Sequence, residues 1–376
     1  MIQKAGISFL LIMTLVAIVP FSTYANMVED KFQLHSETAI MIDANSGKIL
    51  YNQDSEKQMY PASLTKIVTG IIALEQGNPD DIVTVSENAR EVIGTRVYLL
   101  EGEQVPLYKL VQGLMINSGN DAGLAIAEHF DGTEQKFAER MNQFVREVVG
   151  VKETNFTNPH GLFGEQHYTT AYDMAKITQY AMKNQEFRDI VATRELEWKG
   201  EGWETTLLNH HRLLGHYDGV TGVKNGYVGQ AGFTLVTTAS RDNLDLIVVT
   251  LNAPTANRSV RDTIQLLDYG FQHYETKWIA GGTEYKDKFG NKYTLSEDLA
   301  VTVPKGEKLT IEISVYGYMR LLTEQNRLVL IKSLERPIRS AFSQVKEEHI
   351  EKENKVGVNQ ALYESIISTL QQVQKK

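Results

Sequence analysis

The sequence predicts an α/β protein: an antiparallel sheet with helices on both faces, a separate α-rich block, and a small all-β domain on the C-terminal side. Three observations predict it. Strand-like runs lie at both ends of a long stretch, that stretch (residues 107–184) carries apolar residues at helical spacing, and short alternating runs take over after Tyr274. Strands at the two ends of a helical block usually form one sheet, with helices packed on its faces.

The first element is a β-hairpin over residues 37–51. Ala39, Ile40, Met41 and Ile42 lie on one strand, Ile49 and Leu50 on the other, and Asn45-Ser46-Gly47 forms the turn. A helix is expected to open at Pro61-Ala62-Ser63, where proline suits a first turn, and to run through Ile67, Val68, Ile71, Ile72 and Leu74. Helical periodicity then covers Leu107 to Ile116, Ala122 to Phe130, Glu134 to Val149 and Ala171 to Met182. Strands return at Gly232 to Ser240 and Leu244 to Asn252, joined by the turn-like Arg241-Asp242-Asn243. Beyond Gly281-Gly282, Leu309 to Ile313 and Arg327 to Ile331 read as strands of the small second domain. Lys346 to Lys355 is highly charged, and Leu362, Ile366, Ile367, Leu370 and Val373 then recur at helical spacing. This amphipathic tail has two readings, a membrane-surface helix or a terminal helix packed on the core. No internal repeat is found.

The N-terminal end sets the compartment. Lys4 precedes an apolar run from Ile7 to Val19, followed by Pro20 and by Thr23-Tyr24-Ala25, which reads as a signal-peptidase site. Residues 1–25 are therefore a predicted signal peptide, with the mature chain beginning near Asn26. An uncleaved anchor is the other reading, although the run is short for a full span. Both place the body outside the cytoplasm, secreted or peripheral on the outer face of the membrane. The remaining boundaries are 26–277 for the main domain, 278–345 for the β-rich domain and 346–376 for the charged linker and tail.

Composition narrows the chemistry. A chain of 376 residues with 42% hydrophobic content can bury a sizeable core. A formal charge of −9 disfavours nucleic acid as a partner, because phosphate contacts need a basic surface. With no cysteine, disulfides, thiolate catalysis and cysteine-ligated metals are excluded. The nearest histidine cluster, His210, His211 and His216, has no metal-ligand spacing and is assigned to a loop near the substrate cleft. Any nucleophile is oxygen or nitrogen.

Three short motifs supply candidates. Ser63-Leu64-Thr65-Lys66 puts a hydroxyl and an amine on one helical face, with Cβ atoms about 5–6 Å apart. Burial or a neighbouring positive charge would lower the lysine pKa enough for it to act as a base on the serine. Spacing alone does not single the pair out, since Ser343-Gln344-Val345-Lys346 repeats it in a charged, solvated stretch. Ser118-Gly119-Asn120 falls in a tight turn between two helices, where Ser118 can pass a proton to a leaving amine and Asn120 can bind a substrate amide or orient the lysine. Ser86-Glu87-Asn88 has the same pattern but reads as a helix cap. Lys224-Asn225-Gly226 precedes the strand at Gly232, with Lys224 offering charge to a terminal carboxylate and depressing Lys66, and Gly226 leaving room for a substrate backbone. Lys288-Phe289-Gly290 is the corresponding decoy, read as a surface turn. What singles the three motifs out is their order: nucleophile helix, interhelical turn, strand edge.

In this order the chain resembles the penicillin-recognising serine enzymes, marked by Ser-x-x-Lys, Ser-x-Asn and Lys-Thr-Gly, and more narrowly the low-molecular-mass D-alanyl-D-alanine carboxypeptidases. Supporting stretches are Ala39 to Tyr51, Pro61 to Gly70, Gly113 to Glu128, Asn158 to Leu162, Thr170 to Ala175 and Gly219 to Ala239. The resemblance covers residues 35–275 closely, and the overall layout is similar to sporulation-type members. It implies acylation of Ser63 by the penultimate D-Ala of a peptidoglycan stem peptide, release of the terminal D-Ala, hydrolysis of the acyl-enzyme, and acylation of Ser63 by β-lactams. It implies no cofactor and no metal. Ser63 N–H and a backbone N–H of the Gly232-Phe233 region are the candidate oxyanion donors. The chain departs from the pattern at Asn225, where the family has Thr or Ser, and at Val228, commonly another Thr; the larger Asn amide would alter specificity or slow turnover. A D,D-endopeptidase or transpeptidase, and a low-turnover penicillin- and wall-binding protein, stay open. A β-lactamase with a deacylating glutamate would need a Glu-x-x-x-Asn element, and four residues after Glu165 stands Thr169.

Overall fold

The computed structural model describes residues 33–336. The predicted signal peptide, the Ser343 decoy and the predicted amphipathic tail lie outside the described residues. The described residues divide into two units, residues 33–241 with 245–270, and residues 242–244 with 271–336.

The first unit begins with the expected hairpin, β1 (Thr38–Asp43) and β2 (Ile49–Gln53). The next helix starts differently from the expectation. Ala62–Thr65 is a tight 3-10 turn in which Ala62 has φ +50°, and only at Lys66 does the regular helix α1 (Lys66–Gln76) begin. Lys66 through Ala73 are all buried in α1, so this helix is the axis of the helical block. Ile67, Val68, Ile71 and Ile72 are all 0% exposed, each contributing about 1.5–3 kcal/mol of burial. The same placement carries Lys66, in the first turn, into the apolar interior.

Around α1 stand β3 (Ile82–Thr84), α2 (Glu87–Glu91), β4 (Gln104–Pro106), α3 (Leu107–Ile116), α4 (Asn120–Asp131), α5 (Glu134–Phe144), α6 (Ala171–Ala181) and α7 (Gln185–Ala192). Ser86 caps α2, its hydroxyl accepting from Ala89 N–H, as its decoy status predicts. The predicted helix from Glu134 to Val149 divides at Phe144, where a wider π turn (Val145–Val149) ends at left-handed Gly150. The hairpin β5 (Glu195–Lys199) and β6 (Glu204–Leu208) follows.

Three long strands, β7 (Val220–Val228), β8 (Gly232–Arg241) and β9 (Leu244–Ala253), complete a five-stranded sheet of order β2-β1-β9-β8-β7. The two chain segments interleave: β1 pairs antiparallel with β9, Ile40 opposite Val249. Asp242 and Asn243 both have positive φ, which matches the right-handed twist of a tight hairpin between β8 and β9. β7 is the sheet edge. α8 (Ala256–His273), not anticipated from periodicity, packs on this sheet, and a Cβ at Gly270 would lie 2.6 Å from Leu246 Cδ1.

The second unit is all-β: β10 (Tyr274–Ile279), β11 (Glu284–Lys286), β12 (Lys292–Thr294), β13 (Leu299–Pro304), β14 (Leu309–Ile313), β15 (Tyr318–Thr323) and β16 (Leu328–Ser333). Tyr293, Leu295, Val301, Val303, Met319 and Leu321 form its core. Lys288-Phe289-Gly290 is the β11–β12 turn, with Gly290 at φ +86° and Phe289 exposed.

Candidate active site

The site forms where the 3-10 turn before α1, the α3–α4 turn and edge strand β7 converge. Lys66 is its centre. Its Nζ lies 2.7 Å from Asn120 Oδ1, 2.6 Å from the His160 carbonyl and 3.1 Å from Ser63 Oγ. Asn120 cannot present its amide the other way round: its Nδ2 donates to the Ile93 carbonyl at 2.7 Å, and a carbonyl only accepts. Two acceptor-only groups therefore face the amine. A neutral lysine spends both N–H bonds on them, which leaves its lone pair for the Ser63 hydroxyl proton.

The electrostatics favour that neutral form. Burial pushes Lys66 well below the ordinary lysine range, the charge of Lys224 pushes it further, and Asp121 opposes both. Lys224, 2% exposed on β7, is lowered by burial to about 7 and donates to the Asn225 carbonyl at 3.0 Å. Both lysines are buried, and Lys66 in addition faces the positive charge of Lys224, which favours its neutral form.

Backbone fit depends on glycines. A Cβ at Gly226 would stand 2.7 Å from Ser63 N and 2.6 Å from Thr234 Oγ1, so only glycine lets β7 approach the Ser63 turn this closely. Gly161, at φ +88°, lies against the same turn from the other side, where a Cβ would fall 1.9 Å from the Ala62 carbonyl oxygen. The Gly161 loop is anchored by α1 itself, through Thr69 Oγ1 to the Pro159 carbonyl at 2.6 Å and Lys66 to the His160 carbonyl. Asn120 is held by buried Asp121, which accepts from Val97 N–H at 3.0 Å and Leu99 N–H at 3.2 Å and so ties the Ile93 loop across the start of α4.

Ser63, Lys66, Asn120 and Gly226 are thus in direct contact or one atom from it. Ser118 lies in the α3–α4 turn at φ +63°, 6% exposed, and its hydroxyl has no hydrogen-bond partner among the described residues. Asn225 lines a cleft along β7 with Phe233, Thr234, His210, Arg212 and, from the start of α8, Ala256. His210 titrates below the ordinary histidine value through desolvation and then the charges of Lys224 and Lys66. Within the same histidine cluster, His211 is buried on the Val236 carbonyl and Thr237 hydroxyl. Gly232 and Phe233, expected to carry the second oxyanion donor, pair with Val228 and Tyr227, whereas Gly226 is the β7 residue against Ser63 N–H. Sequence reasoning missed the His160 and Ile93 carbonyls, since a main-chain acceptor leaves no side-chain signature.

Comparison with known proteins decides the family. Residues 24–255 match the family profile of the S11 peptidases, described as D-alanyl-D-alanine carboxypeptidase. The chain belongs to the S11 D-alanyl-D-alanine carboxypeptidase family. Among similar S11 proteins, DacF of Bacillus subtilis is 35% identical over 298 residues, 77% of this chain and 73% of the relative. DacA of Haemophilus influenzae is 33% identical over 309 residues, 74% of this chain and 75% of the relative. The fold is that of the penicillin-binding proteins: penicillin-binding protein 5 of Haemophilus influenzae superposes with a TM-score of 0.73 at 30% identity, covering 81% of this chain and 97% of that one. Penicillin-binding protein 6B of Escherichia coli gives 0.70 at 28% identity, covering 85% and 98%.

Proposed function

We propose that this S11 carboxypeptidase removes the terminal D-Ala from peptidoglycan stem pentapeptides through an acyl-enzyme on Ser63. The observation that carries the assignment is the Lys66 environment, two acceptor-only groups at 2.7 and 2.6 Å with the Ser63 hydroxyl as third neighbour. Lys66 takes the Ser63 proton as Oγ attacks the penultimate D-Ala carbonyl, and the carbonyl electrons move to the oxygen. The C–N bond then breaks, and the departing amine takes its proton by way of Ser118, leaving free D-Ala and an ester on Ser63. Water attacks the ester, Lys66 accepting its proton, and the shortened peptide leaves as Ser63 is re-protonated. Ser63 N–H binds the oxyanion of both steps, and Lys224, with Asn225 and Gly226, positions the substrate. A β-lactam acylates Ser63 by the same attack, because its amide opens in the same sense.

The location belongs to the same proposal. Residues 1–25 direct export, the body works outside the cytoplasm, and the apolar positions of residues 362–373 suit contact with the outer face of the cytoplasmic membrane; a role in the spore wall follows the similarity to sporulation-type members. The test is mass spectrometry of D-Ala release from a diacyl-D-Ala-D-Ala tripeptide and of the intact protein after benzylpenicillin. Wild type is expected to release D-Ala and gain one penicilloyl adduct, and Ser63→Ala to do neither. Release by Ser63→Ala at the wild-type rate would overturn the assignment. Cleavage of cross-linked dimers in preference to pentapeptides would make the enzyme an endopeptidase.

A further inference from the structure

The N–H that receives the oxyanion belongs to the Ala62–Ser63 peptide, and that peptide sits in an unfavourable conformation. Ala62 has φ +50°, a region that costs a non-glycine residue about 1–3 kcal/mol unless its surroundings hold it. In a trans peptide the C=O and the next N–H point in opposite directions within one plane. Whatever fixes the Ala62 carbonyl therefore aims the Ser63 N–H.

The Thr65 hydroxyl performs that fixing, donating to the Ala62 carbonyl at 2.8 Å. Threonine in a helical turn divides between rotamers, so the hydroxyl needs a reason to stay on this one. His167 supplies it. The ring is 2% exposed, and its Nδ1 accepts from Thr157 N–H at 3.0 Å, which places the ring proton on Nε2. Nε2 lies 2.8 Å from Thr65 Oγ1 and donates to it, leaving the hydroxyl proton free only for the Ala62 carbonyl. Burial holds this histidine neutral, with its pKa at about 3, so the tautomer persists throughout the neutral range.

We propose that His167 is a positioning residue for acylation, setting the direction of the Ser63 N–H through Thr65 and the Ala62 carbonyl. The inference rests on Ser63 being the acylated residue. Nothing in the Ser-x-x-Lys, Ser-x-Asn and Lys-Asn-Gly motifs points to it, because His167 lies 102 residues from Thr65.

Two amides separate this role from simple support of the loop that carries Thr157. In His167→Gln the amide N–H replaces the Nε2 donor to Thr65. In His167→Asn the shorter amide reaches Thr157 N–H with its oxygen and falls short of Thr65. The measurement is the second-order acylation rate with a fluorescent penicillin in stopped flow, with the melting temperature of each variant. Expected are acylation about 10- to 100-fold slower in His167→Ala and His167→Asn, and within about threefold of wild type in His167→Gln. Thr65→Val is expected to be as slow as His167→Ala, and the double variant no slower than either, as for residues acting in series. An Asn variant that acylates as well as Gln, or a double variant with multiplied losses, would overturn the proposal. Should His167→Ala not fold, the Gln, Asn and Thr65→Val variants carry the comparison. Absence of Ser63-dependent acylation in the wild type would instead remove the underlying assignment.

Discussion

Replacing Gly226 with alanine tests how closely the edge strand has to approach the nucleophile. The added Cβ would meet Ser63 N at 2.7 Å, Thr234 Oγ1 at 2.6 Å and Ala62 Cβ at 3.0 Å, where ordinary contact begins at 3.4 Å. The Thr234 hydroxyl can rotate; the Ser63 backbone cannot. Strand and turn must therefore separate by about 0.7 Å, in a site where a 1 Å misplacement costs on the order of 100-fold in rate. Overpacking of this kind also destabilises by about 1–3 kcal/mol. Acylation by a fluorescent penicillin should accordingly fall roughly 10- to 100-fold in Gly226→Ala, with a modest drop in melting temperature. An alanine variant that acylates within twofold of wild type would refute the reasoning, since the gap between Gly226 and Ser63 would then have no mechanistic role.

Asn120→Ala removes one acceptor from Lys66 and the donor that holds the Ile93 carbonyl; a loss of about 1 kcal/mol in stability and a fall in acylation of about 10- to 100-fold are expected by calorimetry and stopped flow. Lys224→Met deletes the positive charge that lowers Lys66, so the Lys66 pKa rises and the acidic limb of the acylation–pH profile moves to higher pH. A limb that stays in place would show that the Lys224 charge does not reach Lys66. Stability should also depend on pH through the buried histidines His167 and His211, lowered to about 3 and about 4 from the ordinary 6.5. On acidification the unfolded chain binds their protons first, so the melting temperature is highest above pH 6.5 and declines toward pH 4 and below. His167→Gln should make that decline shallower.

The candidate site was legible in the sequence to the extent that its chemistry resides in side chains at fixed spacing. Ser63 and Lys66 announce themselves three residues apart, yet the same spacing at Ser343 carries none of their setting, so order along the chain had to select between them. Helix α8 was missed although its signal is present in the sequence: Val260, Ile264, Leu267 and Phe271 recur at helical spacing, and Leu266 and Leu267 are fully buried. The start of α1 was misjudged for a structural reason. Pro61 does mark a helix entrance, but Ala62, against which Gly161 and Gly226 pack, adopts the left-handed region that local propensity disfavours.

Apolar periodicity, turn residues and three ordered motifs sufficed by themselves to determine an α/β domain with strands from both ends of the helical block and a β-rich second unit, and to single out Ser63 and Lys66 as the proposed nucleophile and base. These are properties of residue type and local spacing, which a linear chain displays directly. Only the tertiary structure decided what favours a neutral Lys66: burial along the axis helix, the facing charge of Lys224, and the carbonyl of His160 meeting its amine. It alone also decided how Ser63 N–H is aimed, through His167, Thr65 and Ala62. Desolvation, close backbone approach and hydrogen bonds to main-chain carbonyls join residues remote in sequence, and they exist only once the chain has packed.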